Sequence, residues 1–503
     1  MSLLNNVFKF FLSQRIHDIQ RFMENPHEFQ HLIFKEIITK AKNTEWGKAH
    51  GYHDGLTYHE YRQNVPVSTY EDIYPYIERM LRGEQNVLWP ATIDWFSKSS
   101  GTTNDRSKFI PVSQEAVDET HHKAGKDMMC LYGYSFPDTK VFTGKSLSIG
   151  GTHYTNPYNP QSRVGDVSAI IVEHLPMWVE FIRAPEKEIF FIPKWEDKIN
   201  KMVETCIDEN ITSLTGVPTW MIVVINEVLK SQKKTNILEV WPNLELFMHG
   251  AVAFGPYKNL FKTLIPSDQF NYLELYNASE GFFGVQDRPY ADDMLLMVDH
   301  GIFYEFMPLH NIGKPYPDTL TLDRVVINEP YALIITTNAG LYRYMIGDTV
   351  KFTSVNPYRI KITGRTKSFI NAFGEELVVE NADHAIAEAC LKTGAVITDY
   401  TAAPCYFSTN NNKGGHEWFI EFAKMPNDLL HFTKILDTSL REINSDYDAK
   451  RYNDMALQPP KINSVPQNTF YKWLKTKNKL GGQNKVPRLS NDRKIADELL
   501  AIV

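Results

Sequence analysis

Beyond residue 90, short apolar runs alternate with segments of helical length, and this alternation limits the possible folds more than any other sequence feature. Strands that alternate with helices favour βαβ units and a largely parallel sheet, which binds ligands at the carboxyl ends of its strands. The strand candidates are 108–112, 211–215, 244–248, 272–276 and 332–336, and the helix candidates are 113–129, 197–208 and 219–229.

The first ninety residues are predicted to be helical instead. Apolar residues recur with helical period in 1–22 and again in 26–41. Ser68 and Glu71 have the three-residue spacing of a capping box, at the head of a helix that ends at Gly83.

The pattern changes again near residues 363–374. Asn381 can cap a helix over 382–390, and a further helix is expected at 429–443. Residues 395–400 and 418–422 are strand candidates, with a hairpin turn at 410–415. We therefore expect an α/β protein with a large, multi-sheet N-terminal domain (1–366) and a small, mobile α+β C-terminal domain (367–503), joined by a hinge around 365–368.

Composition excludes several classes of function. With 53 basic and 60 acidic residues the formal charge is −7, which argues against nucleic acid or anionic lipid as a partner. The four cysteines form no C-x-x-C pair, so neither a zinc knuckle nor a disulfide framework is indicated, and reduced thiols suggest a cytoplasmic protein. No apolar run approaches the roughly 18 residues needed to cross a bilayer. The oligomeric state is left open.

The residues F-S-K-S-S-G-T-T at 96–103, named here the Ser/Gly/Thr segment, precede a strand that contains Lys108. Small hydroxyl residues around a glycine let the backbone wrap an anion and donate N–H and O–H groups to phosphate oxygens. Taken alone, such a segment is more often an ordinary polar turn.

Three other catalytic motifs are incomplete or absent in the sequence. G-K-S at 144–146 resembles the end of a Walker loop, but Thr139 stands where the first glycine belongs. The sequence contains no G-x-S-x-G elbow and no H-E-x-x-H pair, and the adjacent His121 and His122 suit a helix surface better than a metal. Hydrolase and zinc chemistry are therefore disfavoured.

Two further segments carry candidate ligand-binding residues. In E-L-Y-N-A-S-E-G (274–281) a predicted strand stops in a polar turn, so Tyr276 can stack on a flat base and Glu280 can coordinate Mg²⁺. In L-Y-R-Y-M-I-G-D (341–348), Asp348 can accept hydrogen bonds from two ribose hydroxyls. Each segment in isolation is also compatible with a plain turn.

The order of these segments, followed by T-G-R-T-K-S at 363–368, resembles that of the adenylate-forming enzymes. More closely, the chain resembles the auxin-responsive acyl acid amido synthetases, the Gretchen Hagen family of plant hormone-conjugating enzymes with bacterial relatives. The resemblance runs from T-E-W-G-K at 44–48 to Q-N-K-V-P-R at 483–488. We expect a bacterial-type member of this family.

The resemblance implies a site for ATP and Mg²⁺. Lys108 assists in phosphate binding, Tyr276 packs on adenine, Glu280 serves Mg²⁺ and Asp348 binds ribose. Lys485 assists adenylation and Arg365 precedes the hinge, for which Lys367 is the pivot. With Glu280, Lys485 and Arg365 are the candidate catalytic residues. The remaining nucleotide-binding candidates are Ser99, Ser100, Gly101, Thr102, Thr103 and Ser279.

By the same resemblance, two strand ends border the pocket for the acyl acid. The bordering residues are Thr215, Val217, Pro218, His249 and Ala251. Met128, Met129, Trp178 and Phe181 are candidates for the lining, although Met and aromatic residues more often belong to plain core. A hydrophobic acid is expected as substrate.

The implied activity is ATP-dependent adenylation of a small carboxylic acid, followed by transfer to the amine of an amino acid. An acyl-CoA ligase remains the alternative, since the lysines at 472–479 could meet the phosphates of coenzyme A, although they suit a solvated face. Asn371 replaces a lysine common in thioester-forming relatives and so favours the amide. A nucleotide-binding regulator without turnover is a third alternative, against which Lys485, Glu280 and Asp348 speak.

Overall fold

The computed structural model describes most of the chain. The described residues are 3–99, 108–251, 254–314, 316–366, 369–370, 375, 377–406, 414–444, 447–448, 451, 457–477, 479–480, 485–490 and 492–502. They divide into two compact units. The first unit comprises Met1–Val217, Val240–Ala251 and Gln269–Lys361, and the second comprises Pro218–Glu239, Val252–Asp268 and Ile362–Val503. The proposed domain boundary at 366 and 367 stays a prediction.

Helices form the first part of the chain, as the periodicity predicts. Ile16, Ile19 and Phe22 of the first helix are buried, which agrees with an amphipathic helix packed on the body. The helices are α1 (Leu3–Glu24), α2 (Pro26–Ala41), α3 (Glu45–Ala49), α4 (Tyr58–Asn64) and α5 (Tyr70–Leu81). No helix in the described part of the chain has the length and apolar character that a membrane span requires.

The capping box predicted at Ser68 and Glu71 is wrong by one residue. The Asp72 carboxylate accepts hydrogen bonds from the backbone N–H of Thr69 at 2.8 Å and from its hydroxyl at 2.7 Å. Ser68 instead forms a β-bridge with Tyr344, which commits its backbone to the sheet. The helix therefore begins one residue later than the box predicts.

Eleven strands of the described residues form one large sheet, in the order β12, β13, β14, β15, β11, β10, β9, β8, β7, β3, β6. Their bounds are β3 (Lys145–Ser148), β6 (Arg183–Ala184), β7 (Ile211–Gly216), β8 (Leu246–Gly250), β9 (Asn271–Ala278), β10 (Gly281–Val285), β11 (Met294–Leu296), β12 (Ile302–Pro308), β13 (Pro330–Thr337), β14 (Tyr344–Val355) and β15 (Tyr358–Arg365).

The expectation of a largely parallel sheet is only half right. Strands β6, β3, β7, β8 and β9 run parallel to one another. After β9 the chain reverses in the two-residue turn Ser279–Glu280, and β10 pairs antiparallel with β9. A connection of two residues cannot hold a crossover helix, so the sheet continues antiparallel beyond this point.

A second sheet of the first unit has the order β2, β1, β5, β4. Its strands are β1 (Trp95–Ser99), β2 (Lys108–Val112), β4 (His153–Thr155) and β5 (Arg163–Gly165). Strands β1 and β2 are antiparallel, whereas β1 and β5 are parallel. The carboxyl ends of β1 and β5 therefore lie side by side.

Helices connect these strands much as predicted. Ser113 caps the helical segment that follows β2, its hydroxyl accepting a hydrogen bond from the Ala116 N–H at 2.9 Å. That segment passes through a π-helical stretch at Val117–His122. The helices are α6 (Gln114–Ala116), α7 (Lys123–Ser135), α8 (Val167–Glu173), α9 (Lys187–Phe190), α10 (Trp195–Cys206), α11 (Pro218–Gln232) and α12 (Lys258–Leu264).

The second unit contains the α+β arrangement expected for the C-terminal part. One wrong detail is the cap at Asn381, because this residue lies inside the first turn of its helix, where its side-chain oxygen accepts from the Val378 N–H at 3.2 Å. The elements are β16 (Phe369–Ile370), β17 (Leu377–Val378), α13 (Val379–Thr393), β18 (Val396–Tyr406), β19 (Gly414–Lys424), α14 (Leu429–Ile443), β20 (Lys461–Val465), α15 (Thr469–Thr476) and α16 (Lys494–Leu500). Most of the predicted turn at 410–415 lies outside the described residues.

Helices α13 and α14 and the sheet of β18, β19 and β20 share one hydrophobic core. Ile386, Trp418 and Leu436 are among its fully buried members. All four cysteines of the chain are buried and none forms a disulfide, in agreement with the sequence analysis.

Candidate active site

Three neighbouring parallel strands bring several of the predicted acid-binding and nucleotide-binding residues to one edge of the large sheet. In register, Gly216 of β7 pairs with His249 of β8, which pairs with Glu274 of β9. The predicted acid-binding residues Thr215 and His249 lie at these strand ends, and the predicted nucleotide-binding residues Tyr276 and Ser279 follow Glu274 along the chain. Carboxyl ends of parallel strands are where such sheets bind ligands.

On β7, the Thr215 hydroxyl lies 3.3 Å from the hydroxyl of Ser146 on β3. Val217 follows β7 and ends the first segment of the first unit, and Pro218 begins α11 in the second unit. Trp178 and Phe181, candidates for the lining of the pocket, are 50% and 80% exposed, so neither belongs to the core.

On β8, His249 is a buried, uncharged imidazole. Its residue is 2% exposed, and burial lowers its pKa to about 3. Ala251, two residues further on, has a φ of +75°. Non-glycine residues in this left-handed region store strain, and such strain concentrates at functional sites.

Tyr276 and Asp348, two of the predicted nucleotide-binding residues, are in direct contact. The Tyr276 hydroxyl donates a hydrogen bond of 2.8 Å to Oδ2 of Asp348. The tyrosine is 4% exposed, and its ring meets the edge of Phe283 at 4.8 Å between centroids. The fold thus joins two segments that are 72 residues apart in sequence.

Lys108 and Glu280 lie near the same side chain, Tyr70. The Lys108 ammonium is 5.5 Å from the centroid of the Tyr70 ring. Burial raises the pKa of Tyr70, and the charge of Glu280 adds to the rise, which places this carboxylate within electrostatic reach. Sequence reasoning missed Tyr70, because its position in the first turn of a capped helix marks no site.

The first half of the Ser/Gly/Thr segment belongs to β1, whose last residue, Ser99, pairs with Lys108 at the start of β2. Ser100, Gly101, Thr102 and Thr103 lie outside the described residues. The chain therefore leaves β1 and enters β2 close to Lys108, Tyr70 and Glu280.

The turn between β9 and β10 contains polar atoms that suit a ligand. Ser279 is 3% exposed. Among the described residues, its hydroxyl and the side-chain oxygen of Asn277 have no hydrogen-bond partner. Buried polar atoms are normally paired, so a bound ligand would satisfy them. At Gly281 a Cβ would lie 2.5 Å from Cδ1 of Ile302, so a larger residue there would require the isoleucine side chain to move.

Within the segment 341–348, Arg343 has a structural role. Its guanidinium donates to the Glu305 carboxylate at 3.0 Å and to the backbone oxygen of Val65 at 2.8 Å. The arginine is 3% exposed, so it is committed to the protein interior. The predicted role of Asp348 in binding ribose stays a prediction.

In the second unit, Arg365 is the last residue of β15. Gly364 before it has a φ of +147°, and a Cβ at this position would lie 3.4 Å from Cβ of Val379. Glycine therefore suits this point of the chain. Lys367, the predicted pivot, lies outside the described residues.

Lys485 is exposed and stands at the start of a segment that pairs with β18. The Ala402 N–H donates to the Arg488 oxygen at 2.9 Å, and the Thr401 hydroxyl donates to the Pro487 oxygen at 2.6 Å. The Arg488 guanidinium lies 4.7 Å from the centroid of the Tyr400 ring. The backbone that carries Lys485 is thus anchored within two residues of it.

Elsewhere in the first unit, Asp127, Asp299 and His300 place potential metal-ligand atoms within 4.8 Å of one another. The Arg15 guanidinium donates to Asp127 at 2.7 Å and to Asp299 at 2.7 Å, and the Lys123 ammonium lies 3.1 Å from Asp299. Two cations already neutralise the two carboxylates, so this Arg15 cluster (Arg15, Lys123, Asp127, Asp299 and His300) is a structural charge network.

Known proteins resemble the chain over nearly its whole length. Indole-3-acetic acid-amido synthetase GH3.6 of Arabidopsis thaliana is 23% identical, over 92% of this chain and 89% of that protein. The 4-substituted benzoates-glutamate ligase GH3.12 of the same plant is 22% identical, over 92% and 93%.

Solved structures share the fold. The GH3.15 acyl acid amido synthetase matches with a TM-score of 0.79 at 17% identity, covering 97% of this chain and 95% of that one. A 2-hydroxyisobutyryl-CoA ligase in the postadenylation state matches with a TM-score of 0.59 at 12% identity, covering 94% and 91%. The α/β architecture predicted from the sequence is confirmed as that of the adenylate-forming ligases.

Three family models together match most of the chain. The GH3 family N-terminal domain matches residues 15–270, the central domain residues 295–365 and the C-terminal domain residues 380–494. The first of these alone covers more than half of the 503 residues. The chain belongs to the GH3 family.

Proposed function

We propose that this protein is an ATP-dependent acyl acid amido synthetase, which adenylates a carboxylic acid and transfers the acyl group to the amine of an amino acid. The observation that carries the proposal is the meeting of predicted acid-binding and nucleotide-binding residues at the carboxyl ends of β7, β8 and β9. Its membership of the GH3 family, whose relatives named above are amido synthetases and a glutamate ligase, supports the same activity.

The chemistry explains why ATP is needed. A carboxylate resists attack by an amine because oxide is not a leaving group at neutral pH. Its oxygen therefore attacks the α-phosphorus of ATP, and pyrophosphate leaves. The amine then attacks the acyl carbon of the mixed anhydride, and AMP leaves as the amide forms.

The described residues fit a magnesium nucleotide. Asp348, held by the Tyr276 hydroxyl, presents carboxylate oxygens that can accept from ribose hydroxyls. The Glu280 carboxylate can supply the oxygen ligand that Mg²⁺ prefers, and Lys108, which lies near the same Tyr70 side chain, can contact the phosphates. Mg²⁺, when bound there, offsets the phosphate charge during transfer. The unpartnered Ser279 hydroxyl is available to the nucleotide.

The second unit supplies Lys485 and Arg365 in this proposal. Lys485 offsets negative charge at the α-phosphate during adenylation. The segment around Arg365, with Lys367 as pivot, lets the small domain change position between the two half-reactions. The acid is small and hydrophobic. That the chain is a bacterial-type member of its family stays a prediction.

The test separates the two half-reactions. Purified protein is incubated with ATP, Mg²⁺ and a panel of carboxylic acids, and pyrophosphate release is measured. Amino acids or coenzyme A are then added separately, and the products are identified by mass. An amide supports the proposal and a thioester indicates a coenzyme A ligase. ATP binding without pyrophosphate release from any acid indicates a regulator.

Two lysine substitutions, compared with each other, test the role of Lys485. We expect Lys485→Ala to slow adenylation by about 10²–10³-fold, the usual effect of removing a group that stabilises charge in a transition state, with a much smaller loss of ATP affinity. Lys472→Ala, which removes an exposed lysine of the same unit, is the control and should react normally. Equal losses of rate and affinity in Lys485→Ala would contradict the assignment.

A further inference from the structure

Asp166 follows β5, beside the strand that leads into the Ser/Gly/Thr segment. In the parallel pairing of β1 and β5, Ser97 is opposite Gly165. The next residues along the two chain segments are Lys98 on β1 and Asp166, which follows β5 and precedes α8. Asp166 therefore lies at the carboxyl edge of the second sheet, next to the predicted phosphate-binding segment.

The same carboxylate also reaches the edge of the large sheet. Gly150 and Gly151 follow β3, and the Ile149 N–H before them donates to the Thr215 oxygen at 3.2 Å. A Cβ on Gly151 would lie 1.4 Å from Oδ2 of Asp166, so the carboxylate rests directly on this glycine. Asp166 thus stands beside the phosphate-binding segment and against the glycine turn that follows β3, the strand that pairs with β7 and its predicted acid-binding residue Thr215.

Lys198 of α10 holds the glycine turn in place. Its ammonium donates to the Gly150 oxygen at 2.8 Å and lies 3.4 Å from the Gly151 oxygen. The lysine is 2% exposed, and its ammonium lies 5.4 Å from the Phe190 ring centroid. With its donors committed to the backbone, Lys198 has a supporting position.

The electrostatics of this Asp166 cluster (Lys98, Asp166 and Lys198) are unusual for a surface loop. Burial raises the pKa of Asp166 to about 6, although the charges of Lys98 and Lys198 and a hydrogen bond from the Thr152 backbone oppose the rise. Burial likewise lowers the pKa of Lys198 to about 8. Desolvation therefore outweighs the attraction between opposite charges here.

The charge pattern selects among possible ligands. A phosphate would be repelled by the Asp166 carboxylate, and two neighbouring ammonium groups disfavour a divalent cation. A zwitterion is complementary, since its ammonium can pair with Asp166 and its carboxylate with the Lys98 ammonium. The acceptor of the proposed reaction, an amino acid, is such a zwitterion.

We propose that Asp166 binds the α-ammonium group of the acceptor amino acid and takes a proton from it, while Lys98 binds the carboxylate of the same molecule. This inference rests on the proposed function. The proton passes from nitrogen to the Asp166 carboxylate, and the freed lone pair forms the bond to the acyl carbon. The bond between that carbon and the AMP oxygen breaks, AMP leaves with the electron pair, and the second N–H proton passes to solvent.

The decisive experiment compares two acceptors in the Asp166→Asn protein. Hydroxylamine is largely unprotonated at neutral pH, so it needs no base, whereas an amino acid does. We expect Asp166→Asn to release pyrophosphate with acid and ATP as the wild type does, and to form the hydroxamate at a similar rate. Amide formation should fall by about 10²–10³-fold, within the range of general base catalysis.

Two variants serve as comparison and control. Lys98→Met should raise the KM for the amino acid by about tenfold or more. Asp94→Asn removes an exposed carboxylate beside β1 and should leave both products unaffected.

The pH profile gives an independent readout. The wild-type amide rate should decline as pH falls through about 6, where Asp166 becomes protonated. The groups that face this region from neighbouring elements are Lys98, Lys198 and His153 of β4, which pairs with Glu173 at 3.4 Å. In Asp166→Asn the residual amide rate should lose this decline, which separates Asp166 from His153.

The outcomes are distinct. A normal amide rate in Asp166→Asn overturns the inference, and so does an equal loss of pyrophosphate release, hydroxamate and amide, which indicates a structural or nucleotide-binding role. If the wild type releases no pyrophosphate with any acid, the proposed function itself fails. Loss of the amide alone supports both.

Discussion

The Arg15 cluster and the Asp166 cluster each place an aspartate among cations in the first unit, yet the pKa values of the two carboxylates shift in opposite directions. Asp127 accepts two hydrogen bonds from Arg15, at 2.7 and 2.8 Å, and lies 2.9 Å from His300. Burial opposes its charge, but these partners outweigh burial and lower the pKa of Asp127. At Asp166 burial prevails, and its pKa rises to about 6.

The difference teaches how to separate a structural charge from a reactive one. A buried carboxylate whose hydrogen bonds are all satisfied by the protein is stabilised as an anion and gains little from binding a ligand. A carboxylate for which desolvation outweighs the surrounding charges and hydrogen bonds gains from a cationic ligand and accepts a proton near neutral pH, as a general base requires. The Arg15 cluster links α1 to α7, whereas the Asp166 cluster lies at two strand edges.

The largest stability effect should come from breaking the Arg15 cluster. Asp127→Ala leaves the Arg15 guanidinium buried without one of its partners, and we expect a loss of about 3–5 kcal/mol in the free energy of unfolding. Urea unfolding at neutral pH measures it. By comparison, Asp166→Asn should leave stability unchanged or slightly increased. Similar losses of stability in both proteins would remove the distinction between a structural and a reactive aspartate.

A second, smaller effect concerns the pH dependence of stability. Since the folded pKa of Asp127 is below its ordinary 3.8, its contribution is present above that value and lost as pH falls through the folded pKa. Asp166 has a raised pKa, so its contribution is present below 3.8 and lost as pH rises through about 6.

Compared with the wild type, Asp166→Asn should therefore gain relative stability as the pH rises from about 4 to about 7. Urea midpoints over this range measure the difference. A pH-independent difference would show that Asp166 ionises equally in the folded and unfolded chains.

The smallest effect is expected at Lys198. Lys198→Met removes a charged hydrogen bond to the Gly150 oxygen but also removes the cost of burying an ammonium, so we expect a net loss of only about 1 kcal/mol. Lys201→Met, on the same helix, breaks an exposed pair with Glu204 and is the control. A loss as large as that of Asp127→Ala would place Lys198 in a structural network.

Much of the fold was predictable because helices and strands leave local periodic patterns. The helix expected at 429–443 has the same bounds as α14, and the strand expected at 108–112 matches β2. The wrong predictions concern the choice between neighbouring residues of similar type. Ser68 and Thr69 are both good caps, and only the bridge of Ser68 to Tyr344 decides between them.

The candidate site was predictable as a set of segments, although not as a geometry. Tyr276 and Asp348 were both named from their motifs, but nothing local predicts that one hydroxyl donates to the other carboxylate. The turn Ser279–Glu280 was expected to end a strand of a largely parallel sheet, and it is a hairpin because β10 returns beside β9.

The sequence by itself determined the order of helices and strands, the ligand-binding segments and the family they indicate, because these depend on residue types at short spacing. Tertiary structure alone decided that Asp127 contacts Arg15, 112 residues away. It also decided that desolvation is the largest influence on the pKa of Asp166. Both are simply aspartates in the sequence. The energy of a charge depends on its distance to other charges and to water, and folding is what sets those distances.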